Sequence, residues 1–299
     1  MPPNLPATES VDPRFRDIDA WPGEQALLGL WESQLAAVAA VRPALPAIAA
    51  AASAAVARLR RGGRLVYAGA GTSGRIAAQD GAELPPTFDW PRERLVLLMA
   101  GGAAALTGAI ENAEDDSAAA AAAIAAHHVG AEDVVLGVAA SGATPFTRAC
   151  LAEAATRGAL CVAVANSPGS PLLALADHPI LVETGGEPIA GSTRLKAGTA
   201  QKVVLNLFST LVMLQIGRVH EGLMVDMRAS NDKLRARAVR MLRHLTGTDE
   251  AAARAALAEA GGHVKLAVLL VRGLDVPAAR ALLARTGDSL RAALKEIGA

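Results

Sequence analysis

The chain has no excess of either charge: its 299 residues carry 29 acidic and 29 basic side chains. Without a basic surplus there is no electrostatic footprint for nucleic acid, and without an acidic one no solvating tail. A zero net charge leans toward association, so an oligomer is expected. Cysteine is scarce. Cys150 and Cys161 lack metal-site spacing, and two free thiols packed in a core fit a reducing compartment. The six histidines form no ligand pattern. His127-His128 follows an Ala-rich stretch and reads as surface, so no metal site is expected. Long apolar runs are missing too. The most apolar stretch, Val203 to Ile216, is interrupted by Asn206, Ser209 and Thr210. It falls short of the ~18 to 20 residues that a membrane span requires. The N-terminus is Pro-rich and polar, unlike a signal peptide. These absences point to a cytoplasmic protein with neither a membrane nor a nucleic-acid partner.

What is present is alternation. Residues 1–20, with Pro2, Pro3, Pro6 and Pro13, read as irregular, and 24–60 as helical with a break near Arg42-Pro43. Five short apolar runs then start at Arg64, Leu95, Val134, Leu160 and Pro179, each ending in a Gly- or Ser-containing turn and separated by helical segments. That pattern predicts an α/β fold with a five-stranded parallel sheet covered by helices on both faces. Long helices are expected over 198–217 and 230–245, and residues 247–299 read as a small C-terminal bundle of three helices. The expected domains are 1–60 (arm and helices), 61–245 (sheet domain) and 246–299 (bundle).

Ligands in open α/β sheets bind at the carboxyl ends of the strands, so the turns there are the candidate site. Gly69-Ala-Gly71-Thr72-Ser73-Gly74-Arg75 follows the first strand and opens a helix. Its glycines admit close backbone approach, and its hydroxyls and helix-start N–H groups suit an anion. Gly69, Gly71 and Gly74 match a dinucleotide fingerprint only formally, because the second strand ends in Met99-Ala-Gly-Gly without the expected acid. No Walker lysine is present, and Thr72 and Ser73 favour a phosphate monoester. Ser141-Gly142-Ala143-Thr144-Pro145 repeats the logic after the third strand, with helix capping by Ser141 or Thr144 as the plainer alternative. Ser192, Thr193, Arg194 and Lys196 crowd the start of the long helix, where a cation would serve a phosphate.

The candidate acid–base groups are carboxylates. Glu83 sits in Ala-Glu83-Leu-Pro85-Pro86, where the prolines are expected to end the helix and burial to raise the pKa toward a useful value. Glu111 and Glu114 are expected to share a helix face within the acidic run 111–116, which reads equally as a solvated helix start.

Taken together, GAGTSGR, AELPPTF, ENAEDD and GEPIAGSTRLKAGTAQK, with Asn231-Asp-Lys233-Leu234 as a further match, resemble the N-acetylmuramic acid 6-phosphate etherases. These have the phosphosugar-binding SIS (sugar isomerase) fold. The resemblance runs from about Thr8 to the C-terminus. It implies a three-layer α/β sandwich, a homodimer, and no metal or organic cofactor. It implies cleavage of the D-lactyl ether of a sugar 6-phosphate to N-acetylglucosamine 6-phosphate and D-lactate, in the recycling of cell-wall muramic acid. Residue by residue, Glu83 matches the family's acid/base and Glu114 its second catalytic carboxylate. Thr72, Ser73 and Gly74, Ser141, Gly142 and Thr144, and Ser192, Thr193 and Lys196 stand at its sugar-phosphate contacts. The family usually has Arg where Ala143 stands, Arg-Asn in the region of Ser10-Val11-Asp12, and Asn where Gly222 stands.

Two other functions share part of the pattern. A sugar-phosphate isomerase would abstract the same C2 proton but keep the ether. A non-catalytic sensor resembling the glucokinase regulatory protein would keep the loops but not need both carboxylates. The helix opening at Ser73 would carry Glu83 about 15 Å from it at ~1.5 Å per residue. An active site shared between two subunits is therefore expected.

Overall fold

The structure is a computed structural model that describes residues 7–227 and 232–298. Pro2, Pro3, Pro6, Ser230 and Asn231 lie outside the described residues. By internal contacts the chain forms two units. One runs up to Gly81 and takes in Glu93–Ser209; the other combines Ala82–Arg92 with Thr210 onwards.

The first unit begins with three single 3-10 turns rather than an irregular arm. Pro13 occupies the first position of one, where its missing N–H costs nothing, and the Asp12 carboxylate caps it through the Arg14 N–H. Helices α1 (Gly23–Ala39) and α2 (Leu45–Arg60) follow, joined by a 3-10 turn at Arg42–Ala44. The strands are β1 (Leu65–Gly69), β2 (Leu95–Met99), β3 (Val134–Val138), β4 (Leu160–Ala165) and β5 (His178–Leu181). All pair in parallel, in the order β2-β1-β3-β4-β5. Strands β1, β3 and β4 are buried throughout, as strands covered on both faces must be. One face, with Val66, Ala68, Val96, Leu98, Val135, Cys161 and Ala163, packs against α4 (Ser117–Ala126) and α5 (Pro145–Thr156). On the other face, Gly81 of helix α3 (Gly71–Phe88) lies close to Tyr67, Leu95 and Leu97, and α2 contacts β3, β4 and β5.

Helix α6 runs Lys196–Ile216. It is 21 residues long with a mean hydropathy of 1.3, so by length and composition it is sufficient to cross a membrane, contrary to the shorter stretch expected from the sequence. The helix starts before the apolar run does. Its Val204, Leu205 and Phe208 are buried, and 56% of the apolar window lies inside the protein, as in a core helix. The stretch 23–60 passes the same test with only 33% buried. Both cysteines are free and buried, as expected, and burial pushes their thiols up to about 12.

The second unit holds a two-stranded hairpin, Val219–His220 with Leu223–Met224, turned by Glu221 and Gly222, both at positive φ. Gly and Asn tolerate that conformation best, which accounts for either residue at position 222. Helices α7 (Asp232–Thr246), α8 (Glu250–Glu259), α9 (Val264–Val271), α10 (Val276–Arg285) and α11 (Leu290–Glu296) follow. The segment after 246 thus contains four helices, not three, because Ser289 caps an additional one by accepting the Ala292 N–H. Helix α7, assigned from sequence to the sheet domain, shares its buried Ala238, Val239, Met241 and Leu242 with the bundle core. Lys265 of α9 is buried and ion-paired with Asp226 at 2.5 Å and Asp288 at 2.9 Å.

Candidate active site

Strand order creates the site. The chain leaves β1 toward β2 and leaves β3 toward β4, so the connections diverge between β1 and β3. In open α/β sheets, ligands bind at such a switch point, at the strands' carboxyl ends. The two hydroxyl loops expected there, Gly69–Gly74 after β1 and Ser141–Thr144 after β3, flank it.

The first loop is tight. A β-carbon on Gly69 would lie 2.8 Å from the Gly74 Cα, so the strand end and the first turn of α3 meet backbone to backbone. Gly71 has φ +52. Thr72 is half-buried and Ser73 buried in the first turn of α3, next to its N–H groups. In the second loop the Ser141 hydroxyl accepts the Ala143 N–H at 3.2 Å, a local turn. Thr144 is the N-cap residue of α5 but its hydroxyl makes no capping bond. Gly142 is closely packed: a β-carbon there would run into the Ser170 hydroxyl. Ser167 and Ser170, in the turn after β4, are buried with hydroxyls that find no partner among the described residues.

The third loop joins the first. Gly198 in the opening turn of α6 packs toward Thr72 and Ile76 of α3, with a β-carbon there 3.6 Å from Thr72 Cγ2. Ser192 and Thr193 are half-buried just before α6, and the Thr193 carbonyl accepts the Gly198 N–H at 2.8 Å. Lys196 differs from expectation. Its ammonium is turned inward and donates to the Gly186 carbonyl at 2.9 Å. Arg194 is exposed.

Glu187 is a residue that sequence reasoning passed over. It is fully buried, and its carboxylate accepts the Lys196 N–H at 2.8 Å and the Ala197 N–H at 2.9 Å. The α6 N-terminus is therefore capped by the protein's own anion, nine residues earlier in the same motif. Burial raises the Glu187 pKa, opposed by those two N–H groups and by Lys196; burial lowers that of Lys196, opposed by Glu187. The N-terminal segment closes over this loop: the Gly191 N–H donates to the Thr8 carbonyl, and Gly186 sits against the Ser10 backbone.

The carboxylates separate. Glu114 reaches the first loop: a β-carbon on Gly71 would lie 2.5 Å from Glu114 Oε1. It does not share a helix face with Glu111. Asn112 takes a left-handed conformation at φ +58, and Glu114 sits in a 3-10 turn, Ala113–Asp115. Helix α4 starts only at Ser117, capped by Asp116. Glu83 lies on α3 in the second unit and is exposed in the single chain rather than buried. The helix also continues past Glu83 through Pro85 and Pro86 to Phe88. It ends at Asp89, at φ +50, where the Trp90 N–H returns to the Leu84 carbonyl. The two prolines forfeit N–H donors only in the last turn, which the helix tolerates.

A model of the N-terminal SIS domain of glucokinase regulatory protein matches residues 47–155, and a SIS-domain model matches 111–211. A Bacteroides fragilis protein, solved as a candidate phosphosugar isomerase involved in capsule formation, superposes with a TM-score of 0.53 at 20% identity. The match covers 67% of this chain and 95% of that one. Sheet order, loops and models define a SIS-domain protein. Among relatives named N-acetylmuramic acid 6-phosphate etherase, that of Deinococcus radiodurans is 49% identical over 265 residues, 89% of this chain and 87% of its own. That of Rubrobacter xylanophilus is 46% identical over 239 residues, 80% and 79% of the two chains. The chain belongs to the N-acetylmuramic acid 6-phosphate etherase family.

Proposed function

We propose that this chain is an N-acetylmuramic acid 6-phosphate etherase, a carbon–oxygen lyase that converts its substrate and water to N-acetylglucosamine 6-phosphate and D-lactate. The observation that carries the proposal is the Glu114 carboxylate at Gly71, beside the switch-point loops, in a chain of this family. Thr72, Ser73 and Gly74, Ser141, Gly142 and Thr144, and Ser192 and Thr193 hold the sugar phosphate through hydroxyls and helix-start N–H groups. Lys196 shapes that loop from inside through Gly186. A carboxylate beside a phosphate would repel it, so the reacting carbons, not the phosphate, lie at the Gly71 end of the first loop, where Glu114 is.

The open-chain aldehyde at C1 acidifies the C2 proton. Glu83 removes it. The electron pair forms the C2–C3 double bond, the C3–O bond breaks, and its electrons leave with the lactate oxygen, which takes a proton. Water activated by Glu114 then adds at C3, and C2 regains a proton. Acid–base assistance of this kind contributes roughly 10² to 10⁴ in rate. The reaction needs no electron carrier.

The working form is a cytoplasmic homodimer whose active site is shared between subunits. Supporting the pairing, α1 buries only Ser33 and Ala37 of its 17 residues and exposes Leu27, Leu28, Trp31, Leu35 and Val38 along one stripe. Two buried free thiols suit the reducing cytoplasm. Incubation with N-acetylmuramic acid 6-phosphate tests the function. An etherase releases D-lactate, an isomerase returns a product with the ether intact, and a sensor binds without change. Absence of lactate would refute the assignment.

A further inference from the structure

We infer that Arg75 is a positioning residue that holds the Glu114 carboxylate at the glycine loop. Arg75 stands one turn after Gly71 in α3, so the two share a helix face. Glu114 approaches that face at Gly71. Arg75 reaches from the same face to the segment that brings Glu114 there: its Nε donates to the Ala105 carbonyl at 2.9 Å and its Nη2 to the Gly108 carbonyl at 2.8 Å.

The turn that carries Glu114 packs its Ala113 against the sheet core, but the loop before it has few anchors of its own. Between β2 and the Glu114 turn, Ala105 is the one buried residue from 101 to 112. Its 3-10 turn (Ala103–Leu106) is too short to be stable alone, and the acidic run beyond it is exposed. The loop's hydrophobic Leu106 and Ile110 are exposed, and Ile110 lies against Gly101 inside the same loop, so packing ties the loop to itself more than to its surroundings. Two hydrogen bonds from one planar guanidinium to carbonyls three residues apart fix both the position and the orientation of the loop. A lysine at 75 has one ammonium and no fork, and cannot reproduce them. The guanidinium touches neither sugar nor phosphate in this scheme; it acts through Glu114.

The inference rests on the assignment of Glu114 as catalytic for its kinetic consequence, but not for the tether itself. Two measurements separate these. In hydrogen–deuterium exchange on the full chain, Arg75→Ala and Arg75→Lys should speed exchange over residues 103–114 while leaving β1 and β3 protected. Unchanged exchange in that loop would overturn the tether. In the lactate assay, Arg75→Ala should lower kcat about 10²-fold, the cost of misplacing a reacting group by about an ångström, with KM changed far less. Guanidinium ion added to Arg75→Ala should restore part of kcat. In a Glu114→Ala background, Arg75→Ala should cost no further activity, because a residue acting through Glu114 has nothing left to position. Full additivity of the two substitutions, or a loss confined to KM, would overturn the positioning role. If the wild-type protein releases no lactate, the function assigned above fails and the exchange experiment alone decides the tether.

Discussion

The Glu114 carboxylate lies where a side chain at Gly71 would go: a β-carbon at residue 71 would meet its Oε1 at 2.5 Å, and the exposed carboxylate would have to shift. Glycine is thus required by its φ of +52, and a side chain there would push the Glu114 carboxylate aside. Gly71→Ala is predicted to cost about 1 kcal/mol of stability from the left-handed backbone alone. It should also lower kcat about 10²-fold by displacing Glu114. Denaturant unfolding and steady-state lactate release measure the two effects; a variant with reduced stability but unaltered kcat would place Glu114 outside the chemistry.

Glu83→Ala should abolish turnover and leave binding of the sugar phosphate intact, because the phosphate loops lie elsewhere in the sequence. If two subunits share each site, mixing Glu83→Ala with a Ser73→Ala/Ser141→Ala variant and allowing exchange should recover activity. In a mixed dimer one site collects both defects and the other none. Demonstrated exchange with no recovery would mean that each chain builds its own site.

The apolar stripe on α1 is where the proposed dimer is expected to form. Trp31→Glu, or Leu28→Glu, places a charge in that stripe. Either should leave the monomer's stability within about 0.5 kcal/mol. It should weaken dimerisation by about 2 kcal/mol or more, roughly thirtyfold in Kd. Sedimentation equilibrium reads the change, and an undisturbed dimer would assign the interface to another face.

Glu187 gives the fold a pH dependence of defined sign. Its carboxyl is raised by burial above its ordinary 4.5. Relative to the unfolded chain, folding therefore favours the protonated form. Its stabilising contribution is complete below pH 4.5 and is lost as pH rises through the folded value. Glu187→Gln, which cannot ionise, should flatten the dependence of the unfolding free energy on pH in that window. Equal slopes for wild type and variant would show that the carboxyl is not perturbed.

Much of this architecture is legible in the sequence for a physical reason. The runs at 65–69, 134–138 and 160–165 are apolar without alternation because helices cover both faces, and the Gly- and Ser-rich turns mark where the strands release the chain. The rest depends on backbone turns and on which nearby group a side chain meets, neither of which residue type alone announces. Nothing near Glu187 says that it caps a helix nine residues on, although an acid before Ser192-Thr193 and the α6 start is the signal that could have found it. The inward turn of Lys196 follows from Gly186, and the separation of Glu111 from Glu114 from one left-handed Asn112. The end of α3 at Asp89 was missed because two prolines are a stronger local signal than the backbone turn that ends the helix.

In the proposed reaction the ether breaks at C3 by elimination followed by hydration. Turnover of N-acetylmuramic acid 6-phosphate in ¹⁸O-labelled water, with mass analysis of both products, tests it most directly. One label is expected on the sugar hydroxyl at C3 and none in D-lactate; label in the lactate hydroxyl would mean attack on the lactyl carbon and would contradict elimination.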